Sequence, residues 1–343
     1  MTRLDDYRSA LLASFHGVSN AELDRALGAG GPRFVSFIID HGLGPLWHVR
    51  TGRAEFAVSR ISAEVHYLAQ EHALVEIDAA LSNAGIEHVV VKGVANRLLL
   101  YENPAVRTCH DIDLLVHSKN RLRAAKELLA HGFSASALAH NISHELLLSR
   151  DIVDIDLHWG LLRDGRLRTE CAAEMLQRRR RSADTWMLSA EDTFFMLLVH
   201  PAFTKHLAGR EMGLHRVMDI VDWVRSQSFD WPCVCAALQR NGVRSAAWAT
   251  LRWVQLLTSS HAPAELDAML ADTQPGRLRR AWLDYWLRND LSTRMTGARW
   301  TRLLGLSLFL HDTPGDAMHA LCGWQRVRRR RAQDLMAFSE LYG

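Results

Sequence analysis

The sequence predicts a mixed α/β (α+β) chain, with a small mixed sheet set between helical N-terminal and C-terminal regions. Three observations carry this. Apolar residues recur at helical spacing through residues 1–84. The texture changes at Ile86 to short β-branched runs broken by glycine and proline. From Leu161 the helical periodicity returns and continues to the C-terminus. The regions are therefore 1–84, a core at 85–160, and 161–343. Texture marks their boundaries, for there is no linker, internal repeat or low-complexity stretch.

In the first region, Leu4, Tyr7, Leu11, Leu12 and Phe15 form one apolar stripe. Ser19-Asn20 precedes a second helix, and Gly28–Pro32 interrupts it. Phe34–His41 follows, stopped by Gly42. A segment from about Ala54 to Asn83 reads as one helix or two in series, stopped by Gly85. In the core, Ile86–Val91 is the first strand, Lys92-Gly93 a turn and Val94–Tyr101 a helix. Glu102-Asn103-Pro104 is a loop, because the residue before proline resists helix. Asp111–Val116 is the second strand, and Asn120–His131 an amphipathic helix closed by Gly132. Strands at Ser143–Ser149 and Ile152–Trp159 complete the order β-α-β-α-β-β. In the last region, Glu191–His200, Leu214–Arg225, Ala246–Thr258 and the tail from Leu303 are helical.

A net charge of +3 excludes a whole-protein basic field for nucleic acid. Five scattered cysteines do not form a disulfide framework, and Cys233-Val-Cys235 lacks a second pair for a zinc site. The start of the chain has no apolar run behind a basic end, and no stretch is long enough to span a membrane. These features lead to the expectation of a cytoplasmic protein with reduced thiols and no membrane partner.

The chemistry-bearing pattern is Asp111-Ile112-Asp113. Strand side chains alternate, so the two carboxylates share one face while Ile112, Leu114 and Val116 share the other. Two close carboxylates are costly unless a positive group neutralises them, and a divalent cation does so economically. Carboxylate oxygens suit Mg2+ or Mn2+, which bind few protein ligands plus substrate phosphates. Asp154-Ile155-Asp156-Leu157-His158 offers a second acidic face on a later strand. Lys92-Gly93 stands at a strand end where a phosphate would meet a helix N-terminus. Arg107, in the loop before the second strand, has the side chain suited to bidentate phosphate contacts.

These residues resemble a known bacterial family of uncharacterised nucleotidyltransferases. The likeness rests on Val91-Lys92-Gly93-Val94-Ala95-Asn96, on Leu100–Pro104, and on Arg107 through Asp111-Ile112-Asp113-Leu114-Leu115-Val116. Asp156-Leu157-His158-Trp159 and Glu191-Asp192…His200…Lys205-His206…Leu214…Asp219-Ile220…Asp222 support it, and together they cover about residues 30–260. The resemblance implies a polymerase-β-like nucleotidyltransferase core that is metal-dependent. In it Asp111 and Asp113 are metal ligands and Asp156 the third acidic residue, with Asp154 the competitor for that place. Lys92-Gly93 stands where the broader superfamily has Gly-Ser, so either a lysine charge replaces the hydroxyl at the phosphates or the donor differs.

His158 shares a face with Asp156 and is a candidate supporting residue, as are Lys205, His206 and Asp219. His215, Asp219 and Asp222 lie on one helix face. Arg178–Arg181 and the block at Arg326 and Arg328–Arg331 are either solvated surfaces or polyanion contacts. The tryptophans of the last region fit helix packing better than an acceptor pocket. The expected reaction moves a nucleotidyl group from a nucleoside triphosphate to a hydroxyl or phosphate of a small molecule, peptide or protein. A toxin-like enzyme acting on transfer RNA and a non-catalytic nucleotide-binding partner of a biosynthetic complex are the competing expectations.

Overall fold

The computed structural model describes residues 3–135, 144–182, 184–209, 213–295 and 299–339. The first residues of the expected strand Ser143–Ser149, the end of the C-terminal tail, and the side chains of residues 328–330 in the basic block lie outside the described residues. The chain divides into two compact units, each gathered from three stretches. A sheet unit takes residues 66–99, 109–196 and 313–343, and a helical unit takes 1–65, 100–108 and 197–312. No described helix is long and apolar enough to cross a membrane.

The sheet is six-stranded and mixed, as the sequence led one to expect of the fold class. Its strands are β1 (His88–Val91), β2 (Asp111–Val116), β3 (Glu145–Arg150), β4 (Val153–His158), β5 (Arg180–Ser182) and β6 (Thr185–Met187). The spatial order is β3-β4-β2-β1-β6-β5. β1 and β2 are antiparallel, β2 and β4 parallel, and β3 and β4 an antiparallel hairpin.

Alternation explains the two faces. Val90, Ile112, Leu114, Val116, Leu146, Leu148, Ile155 and Leu157 all point one way and are almost fully buried. Against them pack Ala73, Leu74, Ile77 and Leu81 of the helix Ala57–Asn83, and Ala124, Ala125 and Leu128 of the helix Arg121–Ala130. The small alanines let the second helix approach the sheet closely. Phe338, near the end of the helix Pro314–Ser339, inserts into this core with no exposure and lies against Trp159. The apolar half of each strand is thus spent on packing, which leaves the polar half for other work.

The strands β5 and β6 correct the reading of everything after Leu161 as helical. Each has only three residues, too short for alternation to register, and they are held by tertiary pairing: Met187 stands beside Val90 of β1. The arginine run lies here, and its charges are mostly spent locally. Arg178 pairs with Asp192, Arg179 with Glu87 and Arg181 with Asp78. Arg179 and Arg181 also lie over the ring of Trp186.

The C-terminal helix begins with a reciprocal cap. The Thr313 hydroxyl accepts from the Asp316 N–H at 3.2 Å, and Asp316 accepts from the Thr313 N–H at 3.1 Å. Arg168 grips the same carboxylate from across the unit, at 2.6 and 2.7 Å. That guanidinium, more than the cap itself, holds the Asp316 carboxyl down at about 2, against an ordinary value of 3.8. A carboxyl depressed on folding stabilises the protein above its unfolded value and loses that contribution as pH falls toward the folded one. The expected result is that Asp316→Asn destabilises the native chain at pH 7, and that the difference shrinks between pH 3.8 and 2. Urea melts of both proteins across that range check it. Thr313→Ala is expected to cost about 1 kcal/mol.

In the helical unit, Ser19 caps the helix Asn20–Asp40 through a capping box with Glu22, and Gly31 at φ 59° breaks its regularity just before Pro32. Of the C-terminal tryptophans expected to pack, Trp248, Trp253 and Trp286 are buried while Trp282 is exposed, and Trp47, also fully buried, donates its indole N–H to the Ala10 carbonyl at 2.8 Å.

Candidate active site

The polar face of the sheet is decided by register. Parallel pairing sets Asp111 beside Asp154 and Asp113 beside Asp156, and the hairpin sets Glu145 beside His158. Paired residues point to the same side, so two acidic strands are fused into one carboxylate surface. Sequence alternation gave each strand's face, but only the pairing joins them.

Lys92 follows directly from β1, whose last residue Val91 pairs with Asp113. It opens the helix Lys92–Leu100 at a left-handed φ of 55°, so the helix starts two residues earlier than expected. That backbone turn swings the side chain back over the sheet. Its ammonium lies 2.6 Å from Asp113 Oδ1 and 2.9 Å from His158 Nε2. His158 Nε2 is in turn 2.9 Å from the same Asp113 oxygen. Gly93 is buried at the helix start.

The electrostatics separate the carboxylates. Burial alone would raise Asp113, but the charge of Lys92 and the hydrogen bond and charge of His158 outweigh it and hold the carboxyl far below its ordinary range. Burial pulls the Lys92 ammonium down, and Asp113 more than restores it, so the amine sits above its ordinary value. Asp156 has no such partner. Burial and the neighbouring charges of Asp113 and Asp111 push it up to about 6. Asp154 accepts a hydrogen bond from the Ser149 hydroxyl at 2.6 Å. One oxygen each of Asp113 and Asp156 and a ring nitrogen of His158 lie within 4.8 Å of one another, a spacing compatible with a shared cation.

A family model described as uncharacterised nucleotidyltransferase matches residues 41–259. The chain belongs to this nucleotidyltransferase family. The match extends over both halves of the acidic surface and over Lys92-Gly93. No curated protein matches the chain.

The carboxylates fit the divalent cation that nucleotidyl transfer implies. Asp113 already draws a cation to itself in the form of Lys92, and Asp156 is raised by burial and by the charges of Asp113 and Asp111, a setting that a further cation would relieve. The donors are mainly oxygen, the preference of Mg2+ or Mn2+.

Among the expected site residues, the sheet unit brings together Lys92, Asp113, Asp156 and His158, with Asp111 one pleat away on β2. Arg107 and Asp219 meet inside the helical unit instead. The Arg107 guanidinium reaches Asp219 at 2.6 and 3.3 Å, both groups are buried, and the Tyr101 hydroxyl donates to the same carboxylate at 2.9 Å. Lys205 and His206 follow the helix Ala190–Thr204 in that unit, with His206 3.1 Å from the Ser307 hydroxyl. Two residues at the polar face were not expected: His144 and Glu145. Glu145 pairs in register with His158, and its Oε2 lies 3.3 Å from His158 Nδ1. An acidic residue on the face shared with Asp156 was the available signal, but finding it required the hairpin register.

Proposed function

We propose that this chain moves a nucleotidyl group from a nucleoside triphosphate to a hydroxyl or phosphate of an acceptor, and that the reaction takes place on the polar face of the sheet. The observation that carries the reading is the parallel register placing Asp113 beside Asp156, next to a lysine that begins a helix. Asp111, Asp113 and Asp156 would hold Mg2+ or Mn2+, which when bound supplies Lewis-acid stabilisation of charge at phosphorus.

The protein's own groups have distinct parts. Lys92 neutralises Asp113, and its flexible stem lets the ammonium turn to a phosphate oxygen. Gly93 and the helix N-terminus offer backbone N–H groups to the phosphates. His158 fixes the orientation of Asp113. Asp156, which burial and the charges of Asp113 and Asp111 push up to about 6, takes the acceptor's proton. The acceptor oxygen forms its bond to the α-phosphorus as the bond to the pyrophosphate oxygen breaks, and pyrophosphate leaves. Arg107 is assigned no phosphate contact in this scheme, because its guanidinium is committed to Asp219.

Calorimetric titration with a non-hydrolysable nucleoside triphosphate and Mg2+ tests the proposal. Binding that requires the metal and disappears in Asp111→Ala/Asp113→Ala is the expected result. Absence of binding by the native chain with all four bases would sink it.

A further inference from the structure

We propose a second metal site beside the carboxylate pair, formed by His144, Glu145 and His158 and suited to a transition ion of the zinc class. It shares His158 with the proposed active site but does not require that the chain transfer nucleotidyl groups. Three donor atoms converge there within 4.8 Å of one another. Glu145 Oε2 lies 3.4 Å from His144 Nε2 and 3.3 Å from His158 Nδ1. In a tetrahedral site with bonds of about 2.0–2.1 Å, neighbouring donors stand about 3.3 Å apart. Both distances from Glu145 are therefore those of neighbouring donors in a coordination shell, and the two histidine donors lie within 4.8 Å of each other.

A second observation points the same way. His158 is buried, with 3% of its side chain exposed, and its Nδ1 makes no hydrogen bond although it is turned into the cluster. A buried ring nitrogen without a partner is costly, and a metal would use its lone pair. The other nitrogen, Nε2, is 2.9 Å from both Asp113 and the Lys92 ammonium, and with its proton directed to Asp113 it leaves the lone pair on Nδ1. That is the arrangement in which a ligating histidine is oriented by a carboxylate behind it.

The backbone is prepared for the task. The β3–β4 hairpin pairs Glu145 with His158, and His144 sits in a bend just before β3, its carbonyl accepting from the Trp159 N–H at 3.1 Å. Two of the donors rest on one pair of strands, and the third immediately precedes them. Two imidazoles and one carboxylate match the preference of Zn2+ and leave a fourth position open. Mg2+ prefers an all-oxygen shell, so the two sites differ in the ion they select.

The test uses the full chain, stripped with chelator and titrated with Co2+ in the presence of excess Mg2+. A visible absorption band of tetrahedral character, saturating at one Co2+ per chain and displaced by Zn2+, is expected. It should weaken at least tenfold in affinity in both His144→Ala and Glu145→Gln, and persist in Asp156→Asn. Circular dichroism establishes that the variants are folded. If Glu145→Gln does not fold, His144→Ala decides alone, since His144 precedes β3 and is not one of its paired residues. No band, a band undiminished in His144→Ala, or a band lost only in Asp156→Asn would each overturn the proposal.

Discussion

Asp156→Asn is expected to lower nucleotidyl transfer by roughly a thousandfold or more while making the metal-free protein more stable. The size of the first effect follows the loss of a charged group aimed at the reacting centre in a partly buried site. The second follows from the strained carboxylate. Asp156 is pushed up to about 6 by burial and by the charges of Asp113 and Asp111. A carboxyl raised on folding favours the folded state less as it ionises, so the native chain loses stability between pH 3.8 and 6 and stays at the lower level above that. An asparagine carries no charge and escapes the penalty. With chelator present, the variant's advantage should open as pH rises through that window and reach on the order of 1–3 kcal/mol at pH 7. Thermal melts at pH 4 and pH 7 measure it. A variant less stable than the native chain at pH 7 would show that Asp156 is instead a structural acceptor.

The largest loss of stability is expected from Asp219→Ala in the helical unit. Asp219 is fully buried and receives Arg107 through two contacts and Tyr101 through a third. Removing it strands a buried guanidinium, which costs roughly 3–5 kcal/mol. Replacing both charges, Arg107→Met with Asp219→Leu, is expected to recover most of this, short of about 1 kcal/mol for the Tyr101 hydroxyl that loses its acceptor. Urea denaturation of the two variants checks the pair. Equal losses in the single and double variants would mean that shape, not charge, is what the cluster provides.

Local signals made the first four strands and the long helices legible. The Asp111–Val116 alternation placed apolar residues inward and carboxylates outward, as found. Pairing was not legible, because register depends on contacts between residues far apart in the chain. The sequence left Asp154 and Asp156 as rivals; in the structure Asp154 is engaged by Ser149, while Asp156 groups with Asp113. Glu145 and His144 lay beyond sequence reasoning for the same reason. Arg107 illustrates the converse. Its residue type suited a phosphate, yet a buried aspartate more than a hundred residues away claims it. The β5–β6 hairpin was missed because three-residue strands carry no period.

The interleaving of the two units has a consequence for biosynthesis. The chain passes from one unit to the other five times, at 65/66, 99/100, 108/109, 196/197 and 312/313. Phe338, a fully buried member of the core behind the carboxylate strands, is made after every strand of the sheet. Emerging N-terminal segments therefore cannot complete either unit in turn, as consecutive domains do. The acidic strands are made early and wait, with their apolar faces incompletely covered, until the helix Pro314–Ser339 has been made.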